Sequence, residues 1–379
     1  MDHSDIEPFH VEIADTEIAD LCERLARTRW PDQLPATSWT LGTDSTFLHD
    51  LCDHWANRFD WREFHARCNR YPQVRATVDG IVIHAMVAAS AHPDARPLLL
   101  LHGWPGSTAE YFDVIEPLRR EHHVVVASLP GYGFSGPTVR RGVDPLEVAR
   151  VLAELMRRLG HPRFIVAGGD WGATIGAWMA AHLPEAVAGL HMTMVPMRPL
   201  DRHAPDEAAG VSEREWQALD GAQRRMATDA GYAAIHSTRP QTLAYGLTDS
   251  PAGLAGWIIE KFHGWSDCGG DVCSAFSIDR LLDNLSIYWF TGTVNSSMRL
   301  YLEATTGGRS LFPDRQIGVP TGVAVYPADI YPIPRAWAER RFNIVRWEIM
   351  PRGGHFASME VPDLYAADLA GFAARVELR

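Results

Sequence analysis

The sequence predicts an α/β protein: a mostly parallel central sheet, a helical lid inserted between two of its strands, and a helical segment in front. Three observations predict this. Short apolar runs alternate with amphipathic stretches between residues 74 and 193, and again between residues 321 and 376. The alternation stops near Pro196, and the intervening stretch is rich in Trp, Tyr and Phe, with helical spacing and no clear strand. Finally, Arg163–Trp178 joins an apolar run to a helical one through Gly168-Gly169-Asp170-Trp171-Gly172. The divisions that follow are an N-terminal helical segment (1–72) packing on the core, the first part of the core (73–196), the lid (197–310) and the second part of the core (311–379).

In order along the chain, Asp15 or Thr16 is placed to cap a helix with an apolar face of Ile18, Leu21 and Leu25, ended by Pro31. Phe47, Leu48, Leu51 and Trp55 mark a second helix, and Trp61–Cys68 a short third. Trp30, Trp39, Trp55 and Trp61 are too many large rings for a free tail. Val74–Val78 and Ile81–Val87 flank Asp79-Gly80, a two-residue hairpin signal that makes the sheet mixed. Pro97–Leu101 and His123–Ser128 read as strands, Ala109–Arg120 and Pro145–Leu159 as helices. Val187–Thr193 is the strand before the lid. After it come Thr321–Tyr326 (strand), Pro334–Arg341 (helix), Ile344–Met350 (strand) and Pro362–Val376 (helix).

Composition narrows the function. Hydrophobic residues at 46% and charged residues at 22% suit a globular domain with a large core. A net charge of −12 argues against nucleic acid and anionic membranes as partners. No signal peptide and no apolar run of about 20 residues is present, so a cytoplasmic protein without a membrane anchor is expected. The 5 cysteines (22, 52, 68, 268, 273) lack zinc spacing and read as reduced thiols; no metal or cofactor is expected. Oligomeric state is not legible, and a homodimer is admissible.

The strand–turn–helix around Asp170 has the pattern of the nucleophile elbow of α/β-hydrolases. Small neighbours are required because the central residue sits on a sharp, strained turn. With Asp at the centre, the reactive atom is a carboxylate oxygen, ionised at neutral pH without a base. The bland alternative is a turn with Asp170 as N-cap. An Asp nucleophile forms an ester, which an activated water must hydrolyse; the usual activator is a histidine oriented by a second carboxylate. Of 17 histidines only His355 follows His263, in Gly353-Gly354-His355 after the last strand, where the chain order nucleophile, acid, base puts it. Asp329, in Tyr326-Pro327-Ala328-Asp329, is the favoured orienting acid; its rival is Asp201, at the lid entrance. Backbone N–H groups of Trp171 and Trp104 are the candidates for an oxyanion hole; Pro105 has none to give.

His-Gly-Trp-Pro-Gly at 102–106, Gly-Gly-Asp-Trp-Gly at 168–172 and Gly-Gly-His at 353–355 resemble epoxide hydrolases of the α/β-hydrolase fold. The microsomal-type branch is the closer match, through Arg-Leu-Ala-Arg-Thr-Arg-Trp-Pro-Asp at 24–32, the lid stretches 249–262 and 288–293, and Tyr-Pro-Ala-Asp at 326–329. The resemblance implies two lid tyrosines that hydrogen-bond the epoxide oxygen, at Tyr232 and Tyr301, so that substrate meets Trp104, Trp171, Tyr232 and Tyr301. It implies hydrolysis of an epoxide to a vicinal diol through an ester on Asp170, without a cofactor, in detoxification or in biosynthesis. The mammalian members carry a hydrophobic membrane anchor; residues 1–30 do not read as one, so a protein without an anchor is expected. The lid aromatics Trp216, Tyr232, Trp257, Phe262, Trp265, Phe276, Tyr288, Trp289 and Phe290 read as an aromatic pocket suited to aryl or natural-product epoxides. Two alternatives stand beside this. A haloalkane dehalogenase-like hydrolase shares the Asp nucleophile but binds halide through Trp or Asn N–H groups. A non-catalytic binding protein on this fold would lack a member of the triad or a tyrosine, and none is missing.

Overall fold

A computed structural model describes residues 6–198 and 201–377. The remaining residues of the N-terminal, lid and C-terminal divisions lie outside the described ones. Nine strands form one sheet: β1 Ile6–Phe9, β2 Gln73–Val78, β3 Ile81–Ala88, β4 Arg96–Leu101, β5 His122–Ala127, β6 Phe164–Gly168, β7 Val187–Met192, β8 Ile317–Val325 and β9 Phe342–Ile349. Their order is β1-β2-β3-β5-β4-β6-β7-β8-β9. The first three strands run antiparallel to their neighbours, and from β5 to β9 all pairs are parallel. Leu98–Leu101 and Phe164–Gly168 are buried throughout, as central parallel strands covered on both faces must be. The predicted hairpin is present, with positive φ at both Asp79 (49°) and Gly80 (75°). Among the described residues the lid lies between β7 and β8 as seven α-helices and a 3-10 turn, the α-helices including Glu213–Asp229, Gly231–Thr238, Pro251–Trp265, Ile278–Thr291 and Val294–Thr306.

Four local readings change. β1 was not among the predicted elements: four residues containing Pro8 carry no strand signal, and Pro is tolerated because β1 is the sheet's edge. The predicted helix over 109–120 splits into a 3-10 turn, Thr108–Tyr111, and one α-turn, Ile115–Leu118, because Pro117 lacks the N–H a continuous helix needs there. Helix 334–341 shrinks to Arg335–Ala338. The first helix, Asp15–Ala26, is capped at Ala14, whose N–H donates to Glu17 at 3.0 Å, instead of by Asp15 or Thr16.

The N-terminal segment reaches both sheet and lid. β1 extends the sheet beside β2. The Trp55 indole donates to Ser286 Oγ (3.0 Å), and Thr43 Oγ1 donates to the Gly256 carbonyl (2.6 Å). The strongest link is Arg67, whose Nε and Nη2 donate to the two oxygens of Asp283 at 2.8 and 2.7 Å. Asp283 is fully buried on the lid helix Ile278–Thr291 and also accepts from Arg280 at 3.1 Å. Burial pushes its pKa up and Arg67 pulls it back down. Removing one partner of a buried pair strands the other. Arg67→Ala should therefore lower the free energy of urea unfolding by about 3 kcal/mol, the lower end of the range because Arg280 remains. A loss below about 0.5 kcal/mol would mean that water screens this contact like an exposed ion pair.

Candidate active site

β6 ends at Gly168, and the helix Asp170–His182 begins two residues later. Between them the chain turns sharply: Asp170 has φ +46°, a strained value for a residue with a side chain. A Cβ at Gly168 or Gly172 would run into the Leu101 carbonyl of β4, so these glycines let strand, helix and neighbouring strand close on one another. The strained turn pushes the Asp170 side chain out beyond the strand ends, where it stays 18% exposed. The 102–106 loop after β4 meets it there. A Cβ at Gly103 would collide with the Asp170 carboxyl, and the Trp104 N–H donates to Asp170 Oδ1 at 2.8 Å. Of the two expected backbone donors, only Trp104 bonds the resting carboxylate; among the described residues the Trp171 N–H makes no such bond. Lid residues hold this loop: Asn284 Nδ2 donates to the Pro105 carbonyl (2.8 Å) and Tyr288 to the Gly106 carbonyl (2.9 Å).

His355 arrives from the loop after β9. Its Nδ1 lies 3.1 Å from Asp329 Oδ1, and its Nε2 lies 3.7 Å from Asp170 Oδ2. Asp329, at the loop after β8, is the acid that meets the histidine. Asp201 is exposed and binds the His203 N–H instead. Burial alone would lower the imidazole's pKa. The carboxylates of Asp329 and Asp170 outweigh it and raise the pKa to about 10, so at neutral pH the ring is an imidazolium between two anions.

The lid supplies the roof. Tyr232, on Gly231–Thr238, stacks on Trp104 with centroids 4.9 Å apart and planes at 9°. Tyr301, on Val294–Thr306, meets Trp171 edge-on at 4.8 Å and Tyr232 at 5.9 Å. Burial, and then the charge of Asp170, raises the pKa of Tyr232. Burial, Tyr232 and Asp170 do the same to Tyr301, so both phenols keep their protons and remain donors. The five catalytic candidates are thus gathered in one place. The aromatic pocket is smaller than the sequence implied. Tyr288 braces the 102–106 loop, Phe262 and Phe276 pack on Phe356, Phe290 packs on Trp61, and Trp216 packs on Trp337. Tyr232 and Trp265 remain beside Trp104, with Trp257 behind His236.

Sequence reasoning missed three side chains. Glu360 accepts from the backbone N–H groups of Asp267 (2.7 Å), Gly354 (2.9 Å) and Phe356 (2.9 Å), tying the histidine loop to the lid. His236 is fully buried against Trp104, Tyr232 and Tyr301, and burial lowers its pKa to about 3. Glu110 lies buried beside Asp170 and His355. Among the described residues there is no cluster of three or more His, Cys, Asp or Glu suited to a metal, and no helix long and apolar enough to cross a membrane.

The chain is similar to known proteins over nearly its whole length. The model of the "epoxide hydrolase N terminus" matches residues 6–111, and that of the "alpha/beta hydrolase fold" matches residues 96–224. Epoxide hydrolase 1 of Oryctolagus cuniculus is 34% identical, over 100% of this chain and 90% of its own length. The crystal structure of juvenile hormone epoxide hydrolase from the silkworm Bombyx mori superposes with a TM-score of 0.90 at 32% identity, covering 98% of this chain and 94% of that one. The epoxide hydrolase of Aspergillus niger gives 0.87 at 31%, covering 98% and 96%. Likeness at this identity over nearly the whole chain, together with the fold, establishes that the chain belongs to the epoxide hydrolase family and is an enzyme that hydrolyses epoxides.

Proposed function

We propose that hydrolysis proceeds through an ester on Asp170. Asp170 Oδ2 attacks an epoxide carbon, and the C–O bond opens as Tyr232 and Tyr301 donate to the oxygen. The departing oxygen takes a phenol proton, which the His355 imidazolium replaces. Esterification removes the charge of Asp170, one of the two anions that hold the imidazole pKa high. The ring, now neutral, becomes a base when a base is needed. It takes a proton from water as that water attacks the ester carbonyl, whose oxygen the Trp104 and Trp171 N–H groups receive as charge develops. The ester bond breaks, the diol oxygen takes the proton back from His355, and the new carboxyl returns its own proton to the ring. The aromatic rings beside Asp170 suit aryl epoxides, including natural-product intermediates.

One observation carries this reading: a single imidazole lies between a nucleophile at 3.7 Å and an orienting carboxylate at 3.1 Å. In a single turnover with styrene oxide in heavy-oxygen water, the first diol should contain oxygen from the enzyme, and the label should enter the Asp170 carboxylate. A fully labelled first diol, with no label in the peptide carrying Asp170, would exclude the ester.

A further inference from the structure

We infer that Glu110 holds the water that hydrolyses the Asp170 ester. This rests on the ester route proposed above. The sequence gives no hint of the role, since Glu110 sits in what reads as the first turn of an ordinary helix. The structure instead buries it, 8% exposed, on the 3-10 turn that follows the 102–106 loop. Among the described residues no Lys, Arg or His nitrogen comes within ion-pair distance of its oxygens; His355 acts on it only from farther away. A buried carboxyl without such a partner is costly, and an apolar residue would serve mere packing better.

Its surroundings say what it could do. A cavity of about 10 Å³ is lined by Glu110, Asp170, His355, Thr193 and Ser358, among others. That is near the smallest space that holds a single water, and it offers the polar partners such a water needs. The gap from His355 Nε2 to Asp170 Oδ2, 3.7 Å, is too long for a direct hydrogen bond. The carboxyl is held in place: a Cβ at Gly106 would collide with Glu110 Oε1. The two glycines of the loop thus leave two notches, one filled by the nucleophile and one by Glu110. Asn284 and Tyr288 hold that loop from the lid.

Burial, opposed by His355 and reinforced by Asp170, raises the pKa of Glu110 to about 8. At neutral pH it is mostly protonated and adds little further negative charge beside the ester. The water gives one hydrogen to His355 Nε2 and the other to a Glu110 oxygen as a hydrogen bond. Its own oxygen lone pair then faces the Asp170 carbonyl carbon. Only the first hydrogen is transferred; the new C–O bond forms first, leaving the charge on the carbonyl oxygen, and the ester C–O bond breaks as that charge returns.

Glu110→Leu removes both oxygens at similar volume, and Glu110→Gln keeps a carbonyl acceptor. Each is mixed in excess with styrene oxide, and formation and decay of the adduct are followed by quenched intact mass, beside the parent and His355→Gln. In the Leu variant alkylation should keep the parental rate while adduct decay slows by about 10²-fold, the cost of a misplaced reactant. Gln should recover most of that loss. Decay at the parental rate in the Leu variant would overturn the role of Glu110 and leave the ester route intact. So would an equal fall in both half-reactions, the mark of a structural role. Absence of adduct from all four proteins would overturn the ester route, and this inference with it.

Discussion

Replacing His355 by Gln should leave alkylation of Asp170 near its parental rate and slow hydrolysis of the ester by about 10³–10⁴-fold, the usual worth of a positioned base. The asymmetry follows from the charges. In the resting enzyme His355 is an imidazolium, raised to about 10 by Asp329 and Asp170 against the opposing effect of burial. A cation cannot act as a base, so the imidazole has no abstraction to perform while Asp170 attacks; its proton replaces the phenol's only after the epoxide has opened, and in the Gln variant solvent supplies that proton. Once Asp170 is an ester, one anion is gone and Asp329 alone remains, 3.1 Å from Nδ1. Gln offers no basic nitrogen at that stage. Enzyme treated with a good epoxide should therefore gain the mass of one substrate and keep it. Unmodified protein combined with a lost turnover would show that the attack of Asp170 itself needs His355, and the division of labour drawn above would fail.

The parts of this site that were legible in the sequence are those fixed by short-range geometry. Gly168 and Gly172 flank Asp170 because Leu101 approaches too closely for any side chain, and that requirement is written directly into Gly-Gly-Asp-Trp-Gly. His355 was legible because it is the one histidine after His263, in a glycine turn at a strand end. Asp329 could be preferred to Asp201 from its apolar neighbours, and burial of 8% relative exposure agrees with that. What stayed hidden depends on how separate elements meet. Helical spacing identifies the apolar face of a lid helix without saying what it faces. Tyr288 therefore read as a pocket residue, although it braces the Gly106 carbonyl, and Glu110 read as an ordinary helix position. Glu360 had no signal, because its partners lie on two separate loops, at Asp267 and at Gly354–Phe356.

The roof of the site should be as necessary to the first step as His355 is to the second. An epoxide carbon accepts attack only if the leaving oxygen, tethered beside it, can bear the developing charge. Tyr232→Phe and Tyr301→Phe should each slow alkylation by about 10²-fold, the typical cost of one such donor, and the double variant by about 10⁴-fold if both act at once. Phe preserves the rings, including the stack of position 232 on Trp104 at 4.9 Å, so the loss can be read as loss of the hydroxyls. Decay of any ester that does form should be less affected, because the attacking water lies on the His355 side. A smaller loss in the double variant has one structural candidate behind it. The Trp257 indole donates to His236 Nε2 at 3.2 Å, which puts the remaining proton on His236 Nδ1, a buried atom without a partner beside both tyrosines. That N–H is the only neutral imidazole donor in contact with the pair among the described residues. Adding His236→Leu to the double variant should then remove the remaining alkylation. Stopped-flow quenching of the tryptophans at 104 and 171 gives the rate directly. Alkylation within about tenfold of the parent in the double variant, less than the cost of one such donor, would mean that the epoxide oxygen leaves without the tyrosines.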